Sequence, residues 1–266
     1  MEKQKYDKCI PDDFWKMTLE DCYAKNYLDA YSILARGFWC CENKPKEGKL
    51  LLTGINPSYN RTLNEPTTPF ADLKGGFWEK KKEQFGELWN DDTMSYLDLF
   101  PIRESDQRHF EQSFDNNEHV RSIRGNILKV TQDSIEEMKP LLIVHANKDS
   151  LYYWGIKKNT PAGDDANDYE HPWMGYKVKR VTLETYPDLP PCMLEYDRLS
   201  LFPLYEIVGF VDSDKRINHI ERKETNLKFI MEYVMDDRHP NYKGKLYHKE
   251  EWAKIWKWVK DSSTAD

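Results

Sequence analysis

The sequence predicts an α/β fold: a three-layer α/β/α arrangement around a four-stranded, mainly parallel central sheet, formed by the whole chain, 1–266, as one domain. Three observations lead there. Short apolar runs such as "KLLLTG" have strand length and almost no polar interruption, as expected of strands buried on both faces. A long segment at 118–138 has apolar residues at helical spacing. Strand and helix then alternate along the chain, which favours parallel neighbours joined by right-handed crossovers.

Residues 12–38 read as helical, with apolar residues recurring at about 3.6 and a stop at Gly37. They belong to an N-terminal helical extension, 1–48, that precedes the first strand. "KLLLTG" opens into the turn Gly54-Ile55-Asn56-Pro57-Ser58. Residues 59–77 are rich in Thr, Pro, Asn and Gly and form a long loop, a segment type that often carries function. "FWEKKKEQFGELW" returns to helix, and "MSYLDLFPI" is a second strand ended by Pro101. In 118–138, Val120, Ile123, Ile127, Val130, Ile135 and Met138 share a face. "PLLIVHAN" is the third strand. Residues 157–227 form a β-rich insertion, in which "YKVKRVTLETY" alternates like an antiparallel strand and "LSLFPLYEIVGFVD" pairs with it or with the main sheet. "LKFIMEYVMDDRHP" is the fourth strand. Trp252, Ile255, Trp256 and Val259 then place one apolar stripe on a closing helix.

The chain carries a net charge of −7, which argues against a protein that simply coats nucleic acid, since phosphate binding needs clustered Lys and Arg. A local groove on an acidic body stays compatible with DNA. Five cysteines, two of them adjacent and none in a CxxC spacing, argue against a disulfide framework or a zinc site and fit a reducing, cytoplasmic setting. The first residues lack an apolar signal region, and no window approaches a membrane span.

Ligands of parallel α/β sheets sit beyond the carboxyl ends of the strands. Two turns are expected there, Gly54 to Ser58 and Arg238-His239-Pro240-Asn241, each with a polar side chain beside a proline that fixes the backbone. Read alone, Asn56 and His239 are ordinary turn residues. Asp98, in an apolar strand, is either a site residue or half of a buried salt bridge. Phe70 is either a stacking plate or core. His145 reads as a hydrogen-bonded core histidine.

"GINPS", followed by "PFADLKGGFW", resembles the uracil-DNA glycosylase superfamily, closest to its mismatch-specific uracil/thymine-DNA glycosylase branch. That branch has a Gly-Ile-Asn-Pro-Gly turn, then Phe-Ala, then a Phe-Trp pair, matched here by Gly54 to Ser58, Phe70-Ala71 and Phe77-Trp78. "SYLDLFPIR", "MKPLLIVHANKDS" and His239-Pro240-Asn241 follow in the family's order, over about residues 49–155 and 228–260.

The resemblance implies a base-excision DNA repair enzyme that hydrolyses the N-glycosidic bond of uracil or a mispaired base held in a pocket. It implies that Asn56 orients the attacking water, that His239 stabilises charge on the leaving base, and that Phe70 stacks on it. It further implies that Asp98 sits where some branches read the base edge with Asn, and that Gly54, Ile55, Pro57, Ser58 and Asn241 line the substrate site. No metal or organic cofactor is implied, and the partner is DNA. Asn241 replaces the family's usual Ser, Asp98 is acidic, and the 157–227 segment is longer than the family needs. Two alternatives stay open. One is a diverged, inactive member that binds nucleic acid, a nucleotide or a protein. The other is a hydrolase of a small nucleoside.

Overall fold

The computed structural model describes residues 10–42, 47–59, 67–145, 150–157, 160–194, 200, 202–212, 224–233 and 245–263. It is a mixed α/β fold. The strands are β1 (Cys40–Glu42), β2 (Leu50–Gly54), β3 (Thr67–Pro69), β4 (Met94–Asp98), β5 (Leu142–His145), β6 (Tyr176–Arg180), β7 (Leu204–Phe210) and β8 (Phe229–Glu232). The helices are α1 (Asp12–Ala24), α2 (Leu28–Leu34), α3 (Gly76–Phe85), α4 (Gln107–Asp115), α5 (Glu118–Met138), α6 (Leu151–Trp154) and α7 (Lys245–Ser263).

The main sheet has six strands in the order β4-β2-β5-β8-β7-β6. This corrects the four-stranded expectation. The four expected strands are all present and mutually parallel, from β4 through β8. The insertion adds β7 and β6 to the same sheet, antiparallel, beside β8. The reason lies in β6: Tyr176, Val178 and Arg180 are buried while Lys177 and Lys179 are exposed. A strand with one apolar face and one lysine face suits the edge of a sheet, where charge blocks further pairing. A separate two-stranded parallel sheet joins β1 to β3.

The four parallel strands of the main sheet are buried throughout, in agreement with their apolar runs. Alternate side chains feed two cores. Leu51, Leu97, Ile143 and Ile230 meet α5 through Val120, Ile123, Ile127 and Ile135. Leu50, Leu52, Met94, Val144 and Met231 meet α7 through Trp252, Ile255 and Val259, and α3 through Phe85.

Helix α5 keeps the boundaries read from its periodicity. The Asn117 side chain caps it by accepting from the Val120 amide at 2.9 Å. Lys139 ends it in the left-handed region at φ 43°, just before Pro140. The N-terminal helix differs from expectation: it breaks into α1 and α2 at Asn26, whose φ is 58°. An Asn tolerates that conformation better than most residues, and the break lets Trp15 meet Phe38 edge-on at 5.4 Å.

Cys40 is disulfide-bonded, which corrects the expectation of a chain without disulfides, whereas Cys22, Cys41 and Cys192 are buried and outside any disulfide. Among the described residues, no helix is long and apolar enough to cross a membrane.

Candidate active site

Because β4, β2, β5 and β8 are parallel, their carboxyl ends share one edge. At that edge the β2 and β4 chains stay side by side past the ends of the strands. The Leu99 amide donates to the Gly54 carbonyl at 3.1 Å, Phe100 to Ile55 at 2.8 Å, and Glu104 to Pro57 at 3.1 Å. The turn after β2 is therefore stitched along residues 99–104. Ile55 points into the core at 3% exposure, Pro57 is half-buried and Ser58 is exposed.

Asn56 is held by this stitching. Its amide nitrogen donates to three backbone carbonyls, those of Pro57 (3.4 Å), Ile102 (3.3 Å) and Glu104 (2.5 Å). The opposite amide orientation would set an acceptor oxygen against three other acceptors, so the donor set fixes which atom faces which way. Oδ1 is then buried and has no hydrogen-bond partner among the described residues. A buried acceptor of that kind is suited to take a hydrogen from a water or a ligand.

Glu104 anchors the carbonyls that hold Asn56. Its carboxylate meets Arg36 at 2.6 Å and His109 at 2.9 Å, and it accepts from the Asp106 amide at 3.0 Å. Burial pushes its pKa up, but the Asp106 amide, His109 and Arg36 together outweigh that and hold it down at about 2. Tyr59 covers the cluster, its ring 4.7 Å from the Arg36 guanidinium.

Asp98 closes β4 opposite Gly54 and is 3% exposed. Its Oδ1 accepts from the Tyr96 hydroxyl at 2.6 Å, while Oδ2 is buried without a partner among the described residues. Burial raises its carboxyl to about 7, despite the lowering effect of the Tyr96 hydrogen bond. No salt bridge to Asp98 exists among the described residues, so of the two readings open to the sequence the ion pair drops out there. Gly54 is required by this pair, since a Cβ would stand 2.6 Å from the Tyr96 hydroxyl and closer still to Asp98 Oδ1.

His145 ends β5 beside Thr53. Its Nδ1 lies 2.8 Å from the Thr53 hydroxyl and 2.6 Å from that of Ser150. Burial lowers its pKa to about 3, so the ring is neutral near neutral pH. It is a hydrogen-bonded histidine inside the core, edge-on to Trp154 at 5.3 Å.

Phe70 is 3% exposed, and its ring stacks on Trp89 at 4.8 Å, so one face is already covered by protein. Trp78 meets Tyr96 edge-on at 4.6 Å and Phe77 at 4.8 Å. A file of rings thus leads from the Asp98 carboxyl outward to Phe77.

His239 and Asn241 lie outside the described residues. The strand before them, β8, is not adjacent to β2: both flank β5. Two strand spacings, roughly 10 Å, separate the two chain ends. Among the described residues, no group of three or more His, Cys, Asp or Glu is gathered where it could hold a metal ion.

The structure thus brings Gly54, Ile55, Asn56, Pro57, Ser58 and Asp98 to one edge. It adds Tyr96, Glu104 and Arg36, which the sequence reading missed. Tyr96 had a signal, since residues two apart in a strand share a face. Glu104 had none, because its link to Asn56 runs through a backbone carbonyl 48 positions away. No family model matches the chain, and no curated protein or solved structure matches it either.

Proposed function

We propose that this protein hydrolyses the N-glycosidic bond of uracil or a mispaired base in DNA, as a uracil-DNA glycosylase-like enzyme with a three-layer α/β/α fold. The observation that carries the reading is the clamped Asn56 amide with its buried Oδ1, which has no partner among the described residues. The bond breaks through an oxocarbenium-like transition state, and the protein's task is to hold one water in line with the sugar carbon. An amide fixed through its nitrogen can do this without ionising. Asp98, fixed through Tyr96, offers a second buried oxygen on the neighbouring strand end, suited to the edge of a base. His239, which follows β8 in the sequence, would donate to the departing base.

A second reading is favoured by one observation, the net charge of −7: the substrate is a small nucleoside, which needs no basic face. Incubation with uracil-containing, mismatched and single-stranded oligonucleotides, and with free nucleosides, separates the two. Abasic sites in the oligonucleotides support the first reading. Free base released from nucleosides alone supports the second, and no product from either class removes both.

A further inference from the structure

Lys81 is a buried amine that pairs with no carboxylate among the described residues. It lies on α3, is 6% exposed, and its Nζ donates to the neutral Gln84 carbonyl oxygen at 3.2 Å. Two rings enclose the rest of its charge, Tyr233 at 4.9 Å and Phe77 at 5.7 Å. No acidic side chain pairs with it among the described residues. Its neighbour Lys82 shows the ordinary alternative, paired with Glu79 and the Leu73 carbonyl. Burial lowers the Lys81 ammonium to about 8, so a useful fraction is neutral near physiological pH.

Its position matters as much as its environment. Trp78, one turn earlier on α3, packs on Tyr96, which holds Asp98. Tyr233 is the first residue after β8, and its amide donates to the His145 carbonyl at the end of β5. Helix α3 therefore reaches from β4 to β8 over the carboxyl edge, on the sheet face that carries Tyr96 and Tyr233. Phe77, the ring 5.7 Å from the Lys81 amine, is itself 49% exposed.

A desolvated lysine among rings is the arrangement that condenses with carbonyl compounds. We propose that Lys81 forms an imine with the aldehyde of a ring-opened deoxyribose, the abasic product of base excision. The inference rests on the proposed function for the identity of the aldehyde. The neutral amine adds to the C1′ carbonyl, a C–N bond forms, and the carbonyl oxygen leaves as water with the two amine hydrogens. A buried structural ammonium would instead stay charged and unreactive between its rings.

The test uses the full chain, an oligonucleotide carrying a preformed abasic site, and sodium borohydride, which reduces an imine to a stable amine. The expected result is a covalent adduct whose modified peptide contains Lys81, and an adduct yield at least about tenfold lower for Lys81→Met. No adduct with the wild type, an adduct mapping to another residue, or an undiminished yield for Lys81→Met overturns the proposal. Mapping on the wild type decides the matter even where the variant does not fold. Because the abasic site is preformed, the trapping result stands apart from base excision: excision without trapping removes only the Lys81 role, and trapping without excision leaves it in place.

Discussion

The Tyr96 hydroxyl donates to Asp98 Oδ1 across 2.6 Å, and the α-carbon of Gly54 lies directly against that pair. The first apolar strand ends in glycine because its neighbour ends in a buried carboxyl. Gly54→Ala should therefore cost about 1–3 kcal/mol, the usual price of overpacking a closed site. The loss is read from the urea midpoint at constant m-value. An unchanged midpoint would mean that Asp98 and Tyr96 do not occupy this space.

Asp98 predicts an unusual pH dependence. Its folded pKa, about 7, lies above the ordinary 3.8, so the folded state holds this proton more tightly than the unfolded chain. Its contribution to stability is full below about pH 4 and is lost as pH rises through about 7. Asp98→Asn keeps an acceptor for Tyr96 but cannot ionise. The difference between wild type and Asp98→Asn should slope against the wild type across that window, by a few kcal/mol at most. A flat difference curve would show that the carboxyl is not desolvated.

His145 has the opposite sign. A folded pKa near 3, below the ordinary 6.5, means that the unfolded chain binds its proton more readily. Stability from this group is complete above pH 6.5 and drains away as pH falls toward 3. In an NMR titration the His145 ring signals should stay at their neutral positions from pH 8 down to 5. A midpoint near 6.5 would contradict the closed Thr53–His145–Ser150 arrangement.

Asn56→Asp is nearly isosteric and should nevertheless fail. The carboxylate would face the carbonyls of Pro57, Ile102 and Glu104, with the two amide hydrogens that these share replaced by oxygen–oxygen repulsion. A loss of about 1–3 kcal/mol is expected at neutral pH. It should ease as the pH is lowered and the carboxyl becomes protonated. A variant as stable as wild type at pH 7 would mean that the amide nitrogen is not clamped.

Much of the fold was legible in the sequence where the physics is local. Each parallel strand is an apolar run with polar punctuation, and α5 carries its own cap at Asn117 and its own stop at Lys139. The order of the strands was not legible, since placing β5 between β2 and β8 depends on contacts among segments distant in the chain. The alternation of Tyr176, Lys177, Val178 and Lys179 gave β6 as a strand, but which sheet it joins depends on β7 pairing with β8 as well. The break at Asn26 is a single φ value inside an otherwise continuous helical pattern. At the site, Asn56 stood out through its turn and its resemblance to a family motif. Its clamp did not, because backbone carbonyls carry no residue identity. Phe70 could be read two ways, and its partner Trp89 lies far along the chain from it.

The central claim is that Asn56, clamped through its nitrogen, presents Oδ1 to the attacking water. Single-turnover excision on a uracil-containing oligonucleotide tests it most directly, comparing wild type with Asn56→Ala. The account predicts product from wild type and a rate at least about 100-fold lower for the variant, with oligonucleotide binding changed little. Equal rates for the two proteins, or loss of binding alone with the chemical step intact, would contradict it.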